Sequence, residues 1–220
     1  MRKSSRIMKI YLNTSAKCGI IGHMVKRNFD KMMTDEIAAS KTGSRLLLHC
    51  CCAPCSSACL ERLKDHFDIT VLFYNPNIED GEYERRKREL IRLIESTGWA
   101  KIYDCDHDTS EFYDAVKGLE NCPEGGERCE KCFRLRLEKT ARIAESSGFD
   151  YFTTTLTLSP LKDAEKLNAI GEELGGEKWL HSDFKKRNGY LRSIELSKEY
   201  ELYRQDYCGC IFSKRERSKT

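Results

Sequence analysis

Apolar residues along this chain fall into two kinds of pattern that alternate after residue 44. Short continuous runs, Arg45-Leu-Leu-Leu-His-Cys50 and Ile69-Thr-Val-Leu-Phe-Tyr74, have the length and the lack of alternation expected of strands covered on both faces. Between them, Pro54 to His66 reads as a helix, with Pro54 suited to its first turn. Tyr83, Leu90, Ile91 and Ile94 recur at helical spacing over Glu82–Thr97, and Gly98 stops that helix. Ala100–Tyr103 predicts a short third strand, and Ser110–Gly118 a small helix. Phe133, Leu137, Ala141 and Ala144 mark a long helix ending at Gly148, and Tyr151–Leu156, rich in β-branched and aromatic residues, predicts a strand. Asp163–Leu174 reads as a helix, Lys178–Phe184 as a strand and Ile194–Tyr203 as a last helix. The first 43 residues show weak periodicity, and Lys41-Thr-Gly-Ser44 reads as a linker.

Strands alternating with helices imply right-handed crossovers and a mostly parallel sheet with helices on both faces, an α/β fold. Ligands in such sheets bind beyond the carboxyl ends of the strands. Three chemically capable positions sit at such ends: the cysteines after the first strand, Asn75 after the second and Asp104 after the third. The organisation expected is a basic extension over 1–43, a domain over 44–213 and a basic tail over 214–220.

Composition narrows the setting. The 220 residues suffice for one domain with a full core, and 33% charged residues fit a protein in water. No apolar run approaches the ~20 residues of a membrane span. The basic N-terminus lacks the following apolar stretch of a secretory signal, so the cytoplasm is the expected compartment. Residues 1–27 carry seven Lys and Arg and no Asp or Glu, so the +3 of the whole chain leaves −4 on the remainder. A basic arm of this kind suits phosphate contacts or a solvated tail.

The cysteines change the picture most. Twelve are too many for a reducing compartment unless some work, although an even count also permits a disulfide-stapled secreted chain. Cys50, Cys51, Cys52 and Cys55 lie within six residues. Neighbours on an extended strand end point to opposite sides, so Cys51 and Cys52 share a metal only if the chain turns there, and Ala53-Pro54 supplies a turn. Cys50 fits a core thiol, and Cys55 falls on a first helical turn, which favours thiolate. Cys129-Glu-Lys-Cys132 has the spacing that brings two sulfurs to one ion at a helix start. Iron–sulfur, a closed structural zinc site and a thioredoxin-like dithiol all remain open on spacing alone. Cys208-Gly-Cys210 is tight for a shared metal but allows a strained, easily reduced disulfide; free thiols or further cluster ligands are the alternatives. His49 at a strand end is more often a satisfied core residue than a ligand. Asp104 near several thiolates is costly without a cation, unless it is simply exposed.

Taken together, five ordered stretches resemble the QueH family of epoxyqueuosine reductases: Leu48-His-Cys-Cys-Cys-Ala-Pro-Cys55, Tyr74-Asn-Pro-Asn77, Gly125-Gly-Glu-Arg-Cys-Glu-Lys-Cys-Phe133, Thr153-Thr-Thr-Leu-Thr-Leu-Ser-Pro160 and Tyr203-Arg-Gln-Asp-Tyr-Cys-Gly-Cys210. The resemblance implies removal of the epoxide oxygen of epoxyqueuosine at the tRNA wobble position, leaving queuosine. Two electrons and two protons enter and water leaves, without cobalamin. It implies a Rossmann-like fold of the PP-loop type. It places the ligands of a [4Fe–4S] cluster on Cys51, Cys52, Cys129 and Cys132, and a redox-active pair on Cys208 and Cys210. It also implies an additional mononuclear iron, for whose shell Cys55 and Asp104 are the geometric choices. The partners expected are tRNA carrying epoxyqueuosine and a ferredoxin- or flavodoxin-like electron donor, with no membrane. Tyr74, Tyr103 and Glu127 are proton-donor candidates by position. Arg128, Arg134, Lys185-Lys186-Arg187 and Arg192 are candidates for RNA phosphates. A cluster-dependent tRNA sulfur transferase is a rival, weakened by the absence of a Ser-Gly-Gly-x-Asp-Ser phosphate loop. A zinc-stabilised RNA-binding module is the non-enzymatic rival.

Overall fold

The computed structural model describes residues 27–218. Its centre is a four-stranded parallel sheet in the order β3-β2-β1-β4, formed by β1 (Arg45–His49), β2 (Asp68–Leu72), β3 (Lys101–Tyr103) and β4 (Tyr151–Thr154). The register runs from Leu46↔Tyr151 to His49↔Thr154 on one side of β1 and from Arg45↔Asp68 to His49↔Leu72 on the other.

The apolar runs explain themselves in this sheet. Side chains alternate between faces along a strand, and both faces are covered. Leu46 and Leu48 join a core with Leu60 and Leu63 of α2 (Ala53–Leu63), Leu90 and Leu93 of α3 (Asp80–Thr97) and Leu196 of α7 (Gly189–Glu199). Leu47 points the other way, into a core with Phe133 and Leu137 of α5 (Glu127–Ser146) and Ile170 of α6 (Ala164–Gly175). The α/β, Rossmann-like class with helices on both faces is the one observed. No helix among the described residues is long and apolar enough to cross a membrane.

Four segments differ from the sequence reading. Residues Phe29–Ala39, left without an element, form α1. Only Phe29 and Met33 of this helix are buried, too few for a visible periodicity. Ion pairs hold it instead: Asp30 to Arg62 at 2.6 Å and to Arg187 at 3.0 Å, and Glu36 to the ring of His181. The basic residues before Arg27 lie outside the described residues.

The second difference is Lys178–Phe184, which does not extend the sheet. It meets β4 through one bridge, Phe152↔Trp179, and the Leu180 N–H bond to Phe152 O. It then leaves the sheet because the Asn168 side chain takes both backbone groups of Ser182, at 3.0 and 2.8 Å. Third, β4 stops at Thr154, where the chain winds into a 3₁₀ turn over Thr155–Leu158 rather than continuing to Leu156. Fourth, α7 begins at Gly189 and ends at Glu199, earlier at both ends than expected, and a further helix, α8 (Ile211–Arg217), takes in most of the basic tail. The remaining short helix is α4 (Ser110–Ala115).

Candidate active site

The cysteine run sits where β1 ends. Cys52 is extended (φ −173°, ψ 160°) and caps α2, its Sγ accepting the Cys55 N–H at 3.4 Å, with Pro54 in the first turn. That reversal brings neighbouring thiols to the same side: the Cys51 and Cys52 sulfurs are 3.9 Å apart. The sulfurs of Cys51, Cys52 and Cys55 all lie within 4.8 Å of one another, a spacing able to hold a metal ion. Hydrogen bonds with Cys52 and Cys55 hold the Cys51 thiol well below its ordinary value, while Cys52 is pushed up to about 12 by Cys51. Cys50 is fully buried in the opposite core, a packing thiol. His49 is equally enclosed. Its Nε2 lies 3.0 Å from Tyr74 O, which only accepts, so Nε2 carries the proton and Nδ1 takes the Thr154 hydroxyl at 2.8 Å. Burial lowers its pKa to about 4. Both nitrogens are occupied, and His49 is no ligand.

A second group of thiols assembles from distant segments. Cys129 and Cys132 occupy the first turns of α5, and the Gly125 N–H points at Cys129 Sγ at 3.2 Å. Cys208 and Cys210 flank Gly209 just before α8. The Cys208 N–H donates to Ser213 Oγ at 2.9 Å, and Cys210 Sγ accepts the Ser213 N–H at 3.4 Å. Both cysteines of this pair are free thiols. All four cysteines line one small chamber together with Asn77 and Arg136. Burial pushes Cys132 up to about 12 and Cys210 up to about 11. The two groups adjoin at Cys208, which also lines a cleft of about 210 Å³ with Cys51, Cys55 and Lys162.

The Asn75-Pro-Asn77 corner after β2 ties the groups together. Asn75 Nδ2 donates to the Cys50 carbonyl at 2.8 Å, and its Oδ1 receives Arg136 Nη1 at 3.4 Å. Arg136 Nε reaches the Cys132 carbonyl at 3.2 Å. One amide therefore couples the cysteine run to α5.

Sequence reasoning missed Arg86, Arg136 and Lys162 as cations of this site and took Arg128 for a phosphate contact. Arg86, Arg128 and Arg136 are each 1–2% exposed. Arg86 pairs with Glu82 at 2.7 Å and donates to the Cys208 and Tyr207 carbonyls at 3.0 and 3.4 Å, fixing the Cys-Gly-Cys turn. Arg136 has no carboxylate partner among the described residues. Burial works against its charge, but Cys132, Cys208, Cys51 and Cys129 outweigh it and the pKa rises. Half-buried Lys162 is in the same position: burial opposes its charge, and Cys208, Cys51 and Cys55 hold it up. The signal for Arg86 and Arg136 was present, since both share the buried helix face of their neighbours, Tyr83 and Leu90 in one case and Cys132, Phe133 and Leu137 in the other.

Other expectations fall elsewhere. Asp104 lines neither cavity; its carboxylate is 99% exposed and 3.7 Å from Lys87 Nζ. Arg128 is no phosphate contact, because it is enclosed and holds the Glu120 carbonyl at 2.9 Å and Glu216 at 3.1 Å. Arg134 is paired with Glu173, Arg192 with Glu61, Arg187 with Asp30 and Lys185 with Asp183. Of the proton-donor candidates, Tyr74 donates to Glu111, and neither it nor Tyr103 nor Glu127 lines the cleft.

The profile of one protein family, Epoxyqueuosine reductase QueH, matches residues 46–216. The chain belongs to the QueH family. Proteins of that name from Streptococcus pyogenes serotype M1 and Staphylococcus epidermidis are 42% and 41% identical to it, over 86% of this chain and 78% and 85% of theirs. The one from Thermotoga maritima is 38% identical over 78% of this chain and 91% of its own. Membership in this family of reductases sets aside the sulfur transferase and the non-enzymatic module. The matched QueH region contains both thiol groups, the Asn75–Asn77 corner, Lys162 and the three enclosed arginines.

Proposed function

We propose that this chain reduces epoxyqueuosine to queuosine at the wobble position of tRNA, in the cleft lined by Cys51, Cys55, Cys208 and Lys162. The observation that carries this reading is the convergence of thiols from three separated motifs on this cleft and on the chamber that adjoins it at Cys208, around cations without a carboxylate ion pair.

The donor set fits an iron–sulfur cluster. Thiolates select zinc, copper(I) or iron–sulfur centres. A buried guanidinium and an ammonium need compensating negative charge, and the strongest such contributions to both come from the thiols. The fit includes orphaned buried atoms beside the thiols: Asn77 Nδ2 and Oδ1 and Arg136 Nη2 have no hydrogen-bond partner. Cys51, Cys52, Cys129 and Cys132 would hold a [4Fe–4S] cluster, and Cys55 is the thiol left for an additional iron. Such a centre supplies single electrons and Lewis acidity.

The protein's own groups do the rest. Lys162 faces the thiols from the cleft, where an ammonium stabilises an oxygen whose negative charge grows as the C–O bond breaks. Tyr190, 40% exposed on the cleft wall, offers a ring face to a base, as single-stranded RNA readers do. Exposed Lys186 is the member of the 185–187 run left for phosphates. Cys208 and Cys210 form the redox-active pair, re-reduced by a ferredoxin- or flavodoxin-like donor in the cytoplasm. Overall, the epoxide gains two electrons and two protons and loses water.

Nucleoside analysis of tRNA from a strain lacking epoxyqueuosine reductase tests the function. Expression of this chain should convert epoxyqueuosine to queuosine; persistent epoxyqueuosine with soluble protein present contradicts it. Anaerobic reconstitution tests the cofactor: a colourless protein with one tight zinc sinks the cluster. Cys208→Ser should abolish turnover at unchanged iron content.

A further inference from the structure

Arg136 is difficult to account for as a structural residue. It is 1% exposed, on the face of α5 that also carries Cys132. Two of its nitrogens are used within the protein, by Asn75 Oδ1 at 3.4 Å and the Cys132 carbonyl at 3.2 Å. The third, Nη2, is buried with no partner. A guanidinium enclosed without a carboxylate costs several kcal/mol. Asn77 poses the same difficulty: it is 2% exposed, and both polar atoms of its side chain are unmatched. Each buried polar group left unpaired costs about 1–3 kcal/mol. Both residues line the chamber of Cys129, Cys132, Cys208 and Cys210.

We propose that Arg136 and Asn77 donate hydrogen bonds to the sulfur of the bound cluster, and that the Arg136 charge sets its reduction potential. This rests on the cluster reading above. The sign follows from charge. Reduction adds an electron to a centre that already holds thiolates, and a buried cation beside it favours the reduced form. Hydrogen bonds to the sulfur act in the same direction. Both residues are positioning residues, acting through the cluster rather than on the substrate. A guanidinium that only braced α5 against the Asn75 corner would not affect the potential.

The test is an EPR-monitored redox titration, with iron per chain measured alongside, on anaerobically reconstituted wild type, Arg136→Gln, Arg136→Lys and Asn77→Ala. At wild-type iron content, Arg136→Gln should shift the one-electron reduction equilibrium at least tenfold toward the oxidised form, about 59 mV. Arg136→Lys should recover most of that shift, and Asn77→Ala should move the equilibrium several-fold in the same direction. Wild-type midpoints in Arg136→Gln and Asn77→Ala with full iron would overturn the assignment. If Arg136→Gln does not fold, an unchanged midpoint in Asn77→Ala overturns it alone. A wild-type chain that takes up no iron would defeat the cluster reading, a result distinct from an unshifted potential.

Discussion

Replacing Gly209 with alanine strikes the thiol site at its tightest point. Gly209 has φ +122°, a conformation that side chains rarely adopt. Holding a residue there costs of order 1–3 kcal/mol. An added Cβ would also lie 2.8 Å from Ile78 Cγ1 and 2.9 Å from Arg86 Nη1. Ile78 is fully buried and cannot retreat, and Arg86 Nη1 already holds the Cys208 carbonyl at 3.0 Å. Overpacking of this kind costs a further ~1–3 kcal/mol. Together they predict a loss of about 2–6 kcal/mol, or a Tm lower by roughly 4–24 °C for a domain of this size. The turn can escape part of that strain only by displacing Arg86, which frees Cys208. Thermal unfolding of the reduced protein, with the alkylation rate of Cys208 followed by mass spectrometry, reads both effects. A Gly209→Ala protein with wild-type Tm and a wild-type alkylation rate would refute the reasoning.

Three further outcomes are expected. Lys162→Met should lower turnover about 100-fold while iron content stays at the wild-type level, with Lys162→Arg partly restoring activity; full activity in Lys162→Met would remove the cation from the mechanism. Asn168→Leu should destabilise the protein by about 3–5 kcal/mol in denaturant titration, because it strands the Trp179 Nε1–H and both backbone groups of Ser182 inside the core. Attachment of α1 should weaken at alkaline pH. Burial opposes the charge of His181, but Glu36 and Glu172 raise its pKa above the ordinary value, and Arg27 also contacts this cluster. The stabilisation is therefore complete below the unfolded value near 6.5 and is lost as pH rises through the raised folded value. Hydrogen exchange of α1 amides, corrected for intrinsic base catalysis, should show this loss in wild type and not in Glu36→Gln.

The sheet was legible because β1 and β2 are covered on both faces, which favours mostly apolar runs, and because β4 is rich in β-branched and aromatic residues. The thiols were legible because cysteine is rare and its spacing carries meaning. Charge was not. An arginine in a sequence reads as a surface residue, and only its place on a helix face reveals Arg86 and Arg136 as buried. The same ambiguity ran the other way for Arg134 and Arg192, which are paired with neighbouring carboxylates. Asp104 illustrates a different limit: the end of a strand locates a residue to within a few ångströms but does not say which way a short, exposed side chain turns. Helix α1 escaped notice because polar contacts hold most of its length, and hydrophobic periodicity has nothing to report there.

The pairing of β1 with β4 joins His49 to Thr154 across 105 residues of chain. Closing a loop of that length costs about 4 kcal/mol of entropy before any contact repays it, and such non-local parallel pairing forms slowly. Cys51 and Cys52 follow one of these strands, and Cys129 and Cys132 precede the other, so the thiol groups can meet only after that closure. Until then, the eleven free thiols among the described residues are available to one another in any combination. The yield of correctly assembled protein is therefore a race between strand pairing and oxidation, and a reducing, anaerobic environment matters during synthesis as much as during metal loading.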